Sequence, residues 1–178
     1  MEEILILQMG GTIDKDYPRT KAGYSFEVGE PAARRILARL RPSRSIITKI
    51  ECLCKKDSLD VTDEDRSALL EKVTAATQSR LVVTHGTDTL IETATFLANG
   101  LKERGVTSKT VVFTGSFSPE KFRDSDADFN VGVALGGVQA SSPGVWVAMN
   151  GILLAWDRVD RDDTGQFVPR RRSFAVTV

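Results

Sequence analysis

At 178 residues with 41% hydrophobic positions, the chain is sized for one domain and is long enough to bury a real core. Its 24 Lys+Arg and 24 Asp+Glu leave no net charge, which excludes a nucleic-acid binder built on bulk charge and gives no sign of a membrane surface. No apolar run approaches the roughly 20 residues that a spanning helix needs. Met1-Glu2-Glu3 is acidic and leads directly into a strand, unlike a signal peptide. The two cysteines, Cys52 and Cys54, form a C-x-C pair, a spacing at which a disulfide is strained. They read as two buried reduced thiols on one face of a strand, and the chain as cytoplasmic. His85 is the only histidine, so a histidine-rich metal site is excluded.

In chain order, residues 4–9 are a continuous apolar run, the mark of a central parallel strand. Gly10 to Gly29 is a long loop or irregular hairpin, a length that usually goes with a functional lid. Pro31 opens a helix from Ala32 to Leu40, and Ile46 to Leu53 reads as a second strand. A polar loop, Lys55 to Asp60, leads to a helix capped by Thr62 or Asp63 and running to about Thr77. The strand 81–84 follows, then a helix from Thr89 to Leu101, with Thr89 and Glu92 at capping-box spacing. Val111 begins another strand, Gly115 to Asp128 is a polar loop, and Asn130 to Gln139 is a glycine-loosened helix. Val145 to Met149 and Ile152 to Trp156 are strands joined by Asn150-Gly151, a type I′ hairpin signal. From Asp157 the chain reads as a charged tail, with the domain closing near residue 165 and residues 166–178 beyond it.

Strand and helix alternate, so the fold expected is α/β: a doubly wound, mainly parallel sheet with helices on both faces. Ligands of such sheets bind at the carboxyl ends of the strands. The loops 10–29, 55–62, 84–89 and 114–128 all follow strands and should gather there. They carry Gly11, Thr12 and Tyr24; Asp57 and Ser58; Gly86, Thr87 and Asp88; and Ser116, Ser118, Lys121 and Arg123. Two strand ends present Gly followed by Thr, which suggests one shared site. Glycines let backbone N–H groups approach a ligand, hydroxyls supply a nucleophile, and a carboxylate recognises an amine. Such a set suits binding of a small zwitterion and attack by a hydroxyl on a carbonyl. Each type also has an ordinary use: Thr87 and Asp88 as helix N-caps, the glycines as turn residues, His85 as a hydrogen-bonded strand end. Gly10-Gly11-Thr12 lacks the Lys-Ser/Thr ending of a P-loop, so a nucleotide site is disfavoured.

Gly10-Gly11-Thr12-Ile13 and His85-Gly86-Thr87-Asp88-Thr89-Leu90 resemble the two signature segments of the bacterial-type L-asparaginases. Asp57-Ser58 lies between them, as in that family. The stretch from Val111 to Asn150 is similar as well, with its Thr114-Gly115-Ser116 loop, Asp128-Phe129-Asn130 before the glycine-loosened helix, and a Gly-Val-x-Val-x-Met-Asn strand. The likeness runs to about residue 165. It implies hydrolysis of L-asparagine to L-aspartate and ammonia, with no metal or organic cofactor, in a homodimer or higher oligomer. By the resemblance, Thr12 is the nucleophile and Tyr24 helps take its proton. Ser58 holds the substrate α-carboxylate, with Gly11, Asp57 and Gly86 beside it. Asp88 holds the α-ammonium, and Thr87 positions the attacking water.

The chain departs from the family in three ways. The family lysine is expected on the helix before the Gly-Val-x-Val strand, where Gln139 stands, so either a residue such as Lys121, Arg158 or Arg161 reaches in, with Lys121 the first candidate, or the Thr87 half of the site works differently. The second, C-terminal domain of full-length members, which lends an acidic residue to a neighbour's site, has no counterpart in this sequence. Met9 and Asp14 flank Gly-Gly-Thr-Ile, and Leu59 follows Ser58 where a glutamine can help bind the amino group. Two alternatives stay open beside the asparaginase: an amidase preferring glutamine or another small amide, and a catalytically weak binding module for aspartate-like ligands.

Overall fold

The computed structural model describes residues 3–17 and 25–170. The first strand, β1 (Glu3–Gly10), ends in a 3₁₀ turn over Thr12–Asp14, and the long loop is pinned at its base by two short paired strands, β2 (Lys15–Asp16) and β3 (Glu27–Val28). Then come α1 (Ala32–Leu40), β4 (Ile47–Lys56), a 3₁₀ turn at Ser58–Asp60, α2 (Asp63–Ala75), β5 (Arg80–Thr84), α3 (Leu90–Glu103), β6 (Thr110–Thr114), α4 (Ala127–Ala140), β7 (Gly144–Met149) and β8 (Ile152–Ala155). The main sheet has the order β4-β1-β5-β6-β7-β8, parallel throughout except for β8. The doubly wound α/β sheet expected from the alternation of elements is what forms.

The strands look uniformly apolar because both faces are covered. Leu5, Leu7, Leu81, Val83, Val111 and Phe113 pack under α2 and α3 against Leu69, Val73, Leu90 and Leu97. Their neighbours Ile4, Ile6, Val82 and Val112 face α1 and α4, against Ile36, Val131, Ala134 and Val138. Each fully buried side chain of this size contributes about 2 kcal/mol. From β1 the chain winds first to β4 on one side and then to β5 on the other. That reversal opens a crevice between the carboxyl ends of β1 and β5.

Local differences have local causes. Thr62 caps α2 through a reciprocal pair with Asp65, but Thr89 forms no capping box with Glu92; its hydroxyl donates to the Ser58 carbonyl instead (2.6 Å). Asn150 and Gly151 both have positive φ (52° and 80°), as a type I′ turn requires. Cys52 is exposed rather than buried. A register shift sets the five residues from Cys52 to Lys56 against only three of β1, from Gln8 to Gly10, and this irregularity breaks the alternation that would align the cysteines. Cys54 packs on Met9, and burial pushes its thiol up to about 11. Beyond Ala155 the chain is no simple tail: β9 (Val159–Arg161) and β10 (Phe167–Pro169) pair antiparallel, with Val159 and Phe167 buried in the core.

Candidate active site

Three loops meet at the crevice through glycines. Gly11, with φ 86°, lies so close to the next corner that a Cβ there would sit 2.2 Å from the Gly86 backbone. A Cβ on Gly86 would stand 2.7 Å from the Ser58 hydroxyl and 3.1 Å from Gly11 Cα. Only glycine permits this approach at both positions. Gly11 N–H also donates to the Lys56 carbonyl (2.8 Å), tying the β4 exit to the β1 exit. Thr12 and Thr87 each follow one of the two touching glycines. Ser58 and Thr87 are buried, Thr12 half-buried, and Asp88 half exposed at the mouth. The structure thus gathers Gly11, Thr12, Ser58, Gly86, Thr87 and Asp88 at one point on the sheet edge. The cap of α3 is Thr89, so Thr87 and Asp88 are not spent on the helix.

Asp57 stands at the rim, ion-paired with Lys15, whose hydrogen bond holds its carboxyl below the usual range. Lys121 is exposed and paired with Asp16. Tyr24 lies outside the described residues. The position expected for the family lysine does not belong to the site. Helix α4 starts near the crevice and runs back to the opposite edge, about 20 Å away by helical rise, before entering β7 beside the start of β6. There Gln139 donates to the Leu135 carbonyl (2.6 Å).

The charge beside Asp88 comes from β9. Arg161 Nη1 donates to Asp88 Oδ1 (3.1 Å) and to the Thr87 carbonyl (3.3 Å), while its Nε donates to the Gly165 carbonyl (3.0 Å). Sequence reasoning named Arg161 only as one of three possibilities. Its distance from Asp88 along the chain left no spacing signal, and the segment carrying it read as tail.

Behind the corner, His85 is fully buried. Its Nδ1 lies 2.8 Å from the Gly86 carbonyl and its Nε2 3.0 Å from the Thr93 hydroxyl; burial lowers its pKa to about 4, so the ring is neutral. In front, the Thr12 turn is clasped by the fourth loop. Glu120 N–H donates to the Ile13 carbonyl (3.2 Å), and the buried Glu120 carboxylate takes Arg35 (2.6 Å) and Arg39 (2.5 Å) from α1. Among the described residues, no group of His, Cys, Asp and Glu is placed to hold a metal ion.

Fold and site together define a doubly wound α/β protein with two threonine corners facing one crevice at its switch point. Residues 3–168 match the family model described as asparaginase, N-terminal. The chain belongs to the L-asparaginase family and corresponds to its N-terminal domain. It is 31% identical over 163 residues to an L-asparaginase of Thermococcus kodakarensis, covering 89% of this chain and 47% of that protein. It is 30% identical over 159 residues to a glutaminase-asparaginase of Pseudomonas fluorescens, covering 84% and 42%. Among solved structures it is similar to a probable cytoplasmic L-asparaginase of Campylobacter jejuni (TM-score 0.77, 27% identity), covering 95% of this chain and 53% of that one. The chain spans about half the length of the curated relatives it matches.

Proposed function

We propose that the crevice hydrolyses L-asparagine to L-aspartate and ammonia through an acyl-enzyme on Thr12. The observation that carries this reading is the backbone contact of Gly11 with Gly86 beside Ser58, which brings together the two corners whose chains continue into Thr12 and into Thr87 and Asp88. In the first half-reaction the Thr12 hydroxyl attacks the side-chain amide carbon and its proton, passed through Tyr24, goes to the departing nitrogen. The C–N bond breaks and ammonia leaves. In the second, a water held by Thr87 attacks the ester and Thr12 recovers its proton. Ser58 receives the substrate α-carboxylate and Asp88 its α-ammonium. Backbone N–H groups of the corners stabilise the developing oxyanion, an interaction typically worth about 3 kcal/mol per donor. Arg161 supplies charge and orientation to the Thr87–Asp88 pair; a guanidinium keeps its proton near neutral pH, so it is not the base.

Ammonia release from L-asparagine, from L-glutamine and from no substrate tests the proposal in wild type, Thr12→Ala and Thr87→Ala. Turnover of asparagine lost by at least about a thousandfold in both variants is expected. Turnover unaffected by Thr12→Ala refutes the mechanism. No turnover with aspartate binding retained leaves the binding module, and a faster rate on glutamine changes the substrate.

A further inference from the structure

We propose that Arg66 is a positioning residue for the Thr87 corner, acting through Thr93 and His85 on the carbonyl of Gly86. The inference rests on reading Thr87 and Asp88 as site residues, but its evidence is a separate, buried chain of hydrogen bonds. Arg66, on α2, is 5% exposed, and Thr93 on α3 and His85 are fully buried. Arg66 Nε donates to the Thr93 hydroxyl at 3.2 Å. That hydroxyl lies 3.0 Å from His85 Nε2, and His85 Nδ1 lies 2.8 Å from the Gly86 carbonyl.

Proton counting gives the chain one direction. A guanidinium only donates, so the Thr93 oxygen accepts from it with one of its two lone pairs, and its own proton is left for a further acceptor. A carbonyl only accepts, so Nδ1 carries the ring proton. In the neutral ring that buried surroundings enforce, Nε2 then accepts from Thr93. Each group is satisfied, and the tautomer follows. The Gly86 carbonyl sets the tautomer, while the guanidinium occupies one lone pair of the Thr93 oxygen and so holds the hydroxyl rotamer that points its proton at Nε2. Without it the Thr93 hydroxyl can turn away, Nε2 loses its donor, and the ring and the Gly86 carbonyl it holds are free to shift.

The far side of the guanidinium is anchored by Asp63 and Glu92, each at 2.8 Å, and both carboxylates are largely exposed. The Gly86–Thr87 peptide is trans, so holding its C=O toward the buried ring aims the Thr87 N–H the opposite way. Because Gly86 also touches Gly11 and approaches Ser58, a tilt of this peptide shifts the meeting point of all three loops.

The test is nitrogen-15 NMR of the ring, unambiguous because His85 is the only histidine. In wild type the proton is expected on Nδ1 from pH 5.5 to 8. Arg66→Met leaves Asp63 and Glu92 in water rather than buried, and should move the Nε2 signal and the Thr87 amide proton resonance. Thr93→Val removes the middle link without changing a charge, and should move the Nε2 signal and the same amide. In both, kcat for asparagine should fall about tenfold with KM within about threefold, and Arg66→Lys should restore it. A wild-type ring protonated on Nε2 overturns the proposal, as does a Thr87 amide that stays put in both variants. Absence of turnover in wild type would sink the hydrolase reading alone and leave the ring and amide signals to decide this one.

Discussion

Arg161 carries a charge to a place that the sequence assigns to another position. Its guanidinium bridges Asp88 Oδ1 and the Thr87 carbonyl, and its Nε reaches the Gly165 carbonyl, so one side chain ties the β9–β10 turn to the crevice mouth. The Phe167 ring backs it, 5.6 Å from the guanidinium carbon. Arg161→Ala should slow asparagine hydrolysis by about thirtyfold, the rate equivalent of about 2 kcal/mol for a charge-assisted pair. Arg161→Lys keeps the charge and loses the fork, and should stay within about tenfold of wild type. Steady-state ammonia release measures both. Equal losses in the two variants would mean that the planar fork matters and the charge does not. The exposed Lys121, paired with Asp16, should tolerate alanine with little change in rate.

Among elements, the Thr12 turn owes its place to packing from two directions. Behind it, the glycine contact fixes its approach to β5; in front, the Pro119–Lys121 segment holds the Ile13 carbonyl and Asp16, and α1 grips Glu120 with two arginines. Arg39 also pairs with Asp128 on α4, so the clasp links α1, α4 and the Thr12 turn. Glu120→Ala removes a carboxylate 3% exposed but leaves two arginines that reach water. The expected cost is therefore about 2 kcal/mol rather than the larger penalty of a stranded buried charge. Urea denaturation reads that loss, and kcat should drop with it while KM changes little. The clasp was invisible in the sequence because its members lie in α1, two loops and α4 with no periodic relation. The corners were legible for the opposite reason: an apolar run that stops at Gly-Thr states its own turn. The Thr89–Glu92 capping box failed because spacing cannot show that a loop from β4 passes close enough to claim the Thr89 hydroxyl.

For the whole molecule, the alternation of strands and helices was enough to place four loops on one edge, which is why most of the candidate site could be read before the fold. Strand order was not readable, and it is strand order that makes β1 and β5 neighbours at a switch point. Nor was the burial of titratable groups legible, and two of them shape the response of the whole fold to pH. Asp14 is 1% exposed and caps α1 from a distance, its Oδ1 accepting from Ala32 N–H (2.7 Å). Burial pushes its carboxyl from 3.8 up to about 6, although the Ala32 N–H, the neighbouring Gln8 and Arg35 pull it back. The folded state therefore binds this proton more tightly than the unfolded chain, and stability falls as pH rises from about 4 to about 6. His85 works the other way: lowered from 6.5 to about 4, it makes stability fall as pH drops through that window. Each effect is on the order of 3 kcal/mol, so they nearly cancel and wild-type stability should be almost flat between pH 4 and 6. The ion-paired carboxylates, such as Asp16 and Glu51, are lowered by their lysine partners and begin to lose stability only near and below the bottom of this range. Asp14→Asn removes one of the two opposing slopes. Its amide oxygen can still cap Ala32, and its amide N–H₂ can donate to Gln8 Oε1, a buried acceptor that otherwise lacks a partner. The variant should gain stability steadily from pH 4 to 6.5 and exceed wild type by about 1–3 kcal/mol at pH 7. Urea midpoints measured across pH 4–7.5 decide it, since parallel curves for variant and wild type would show that Asp14 does not titrate with folding.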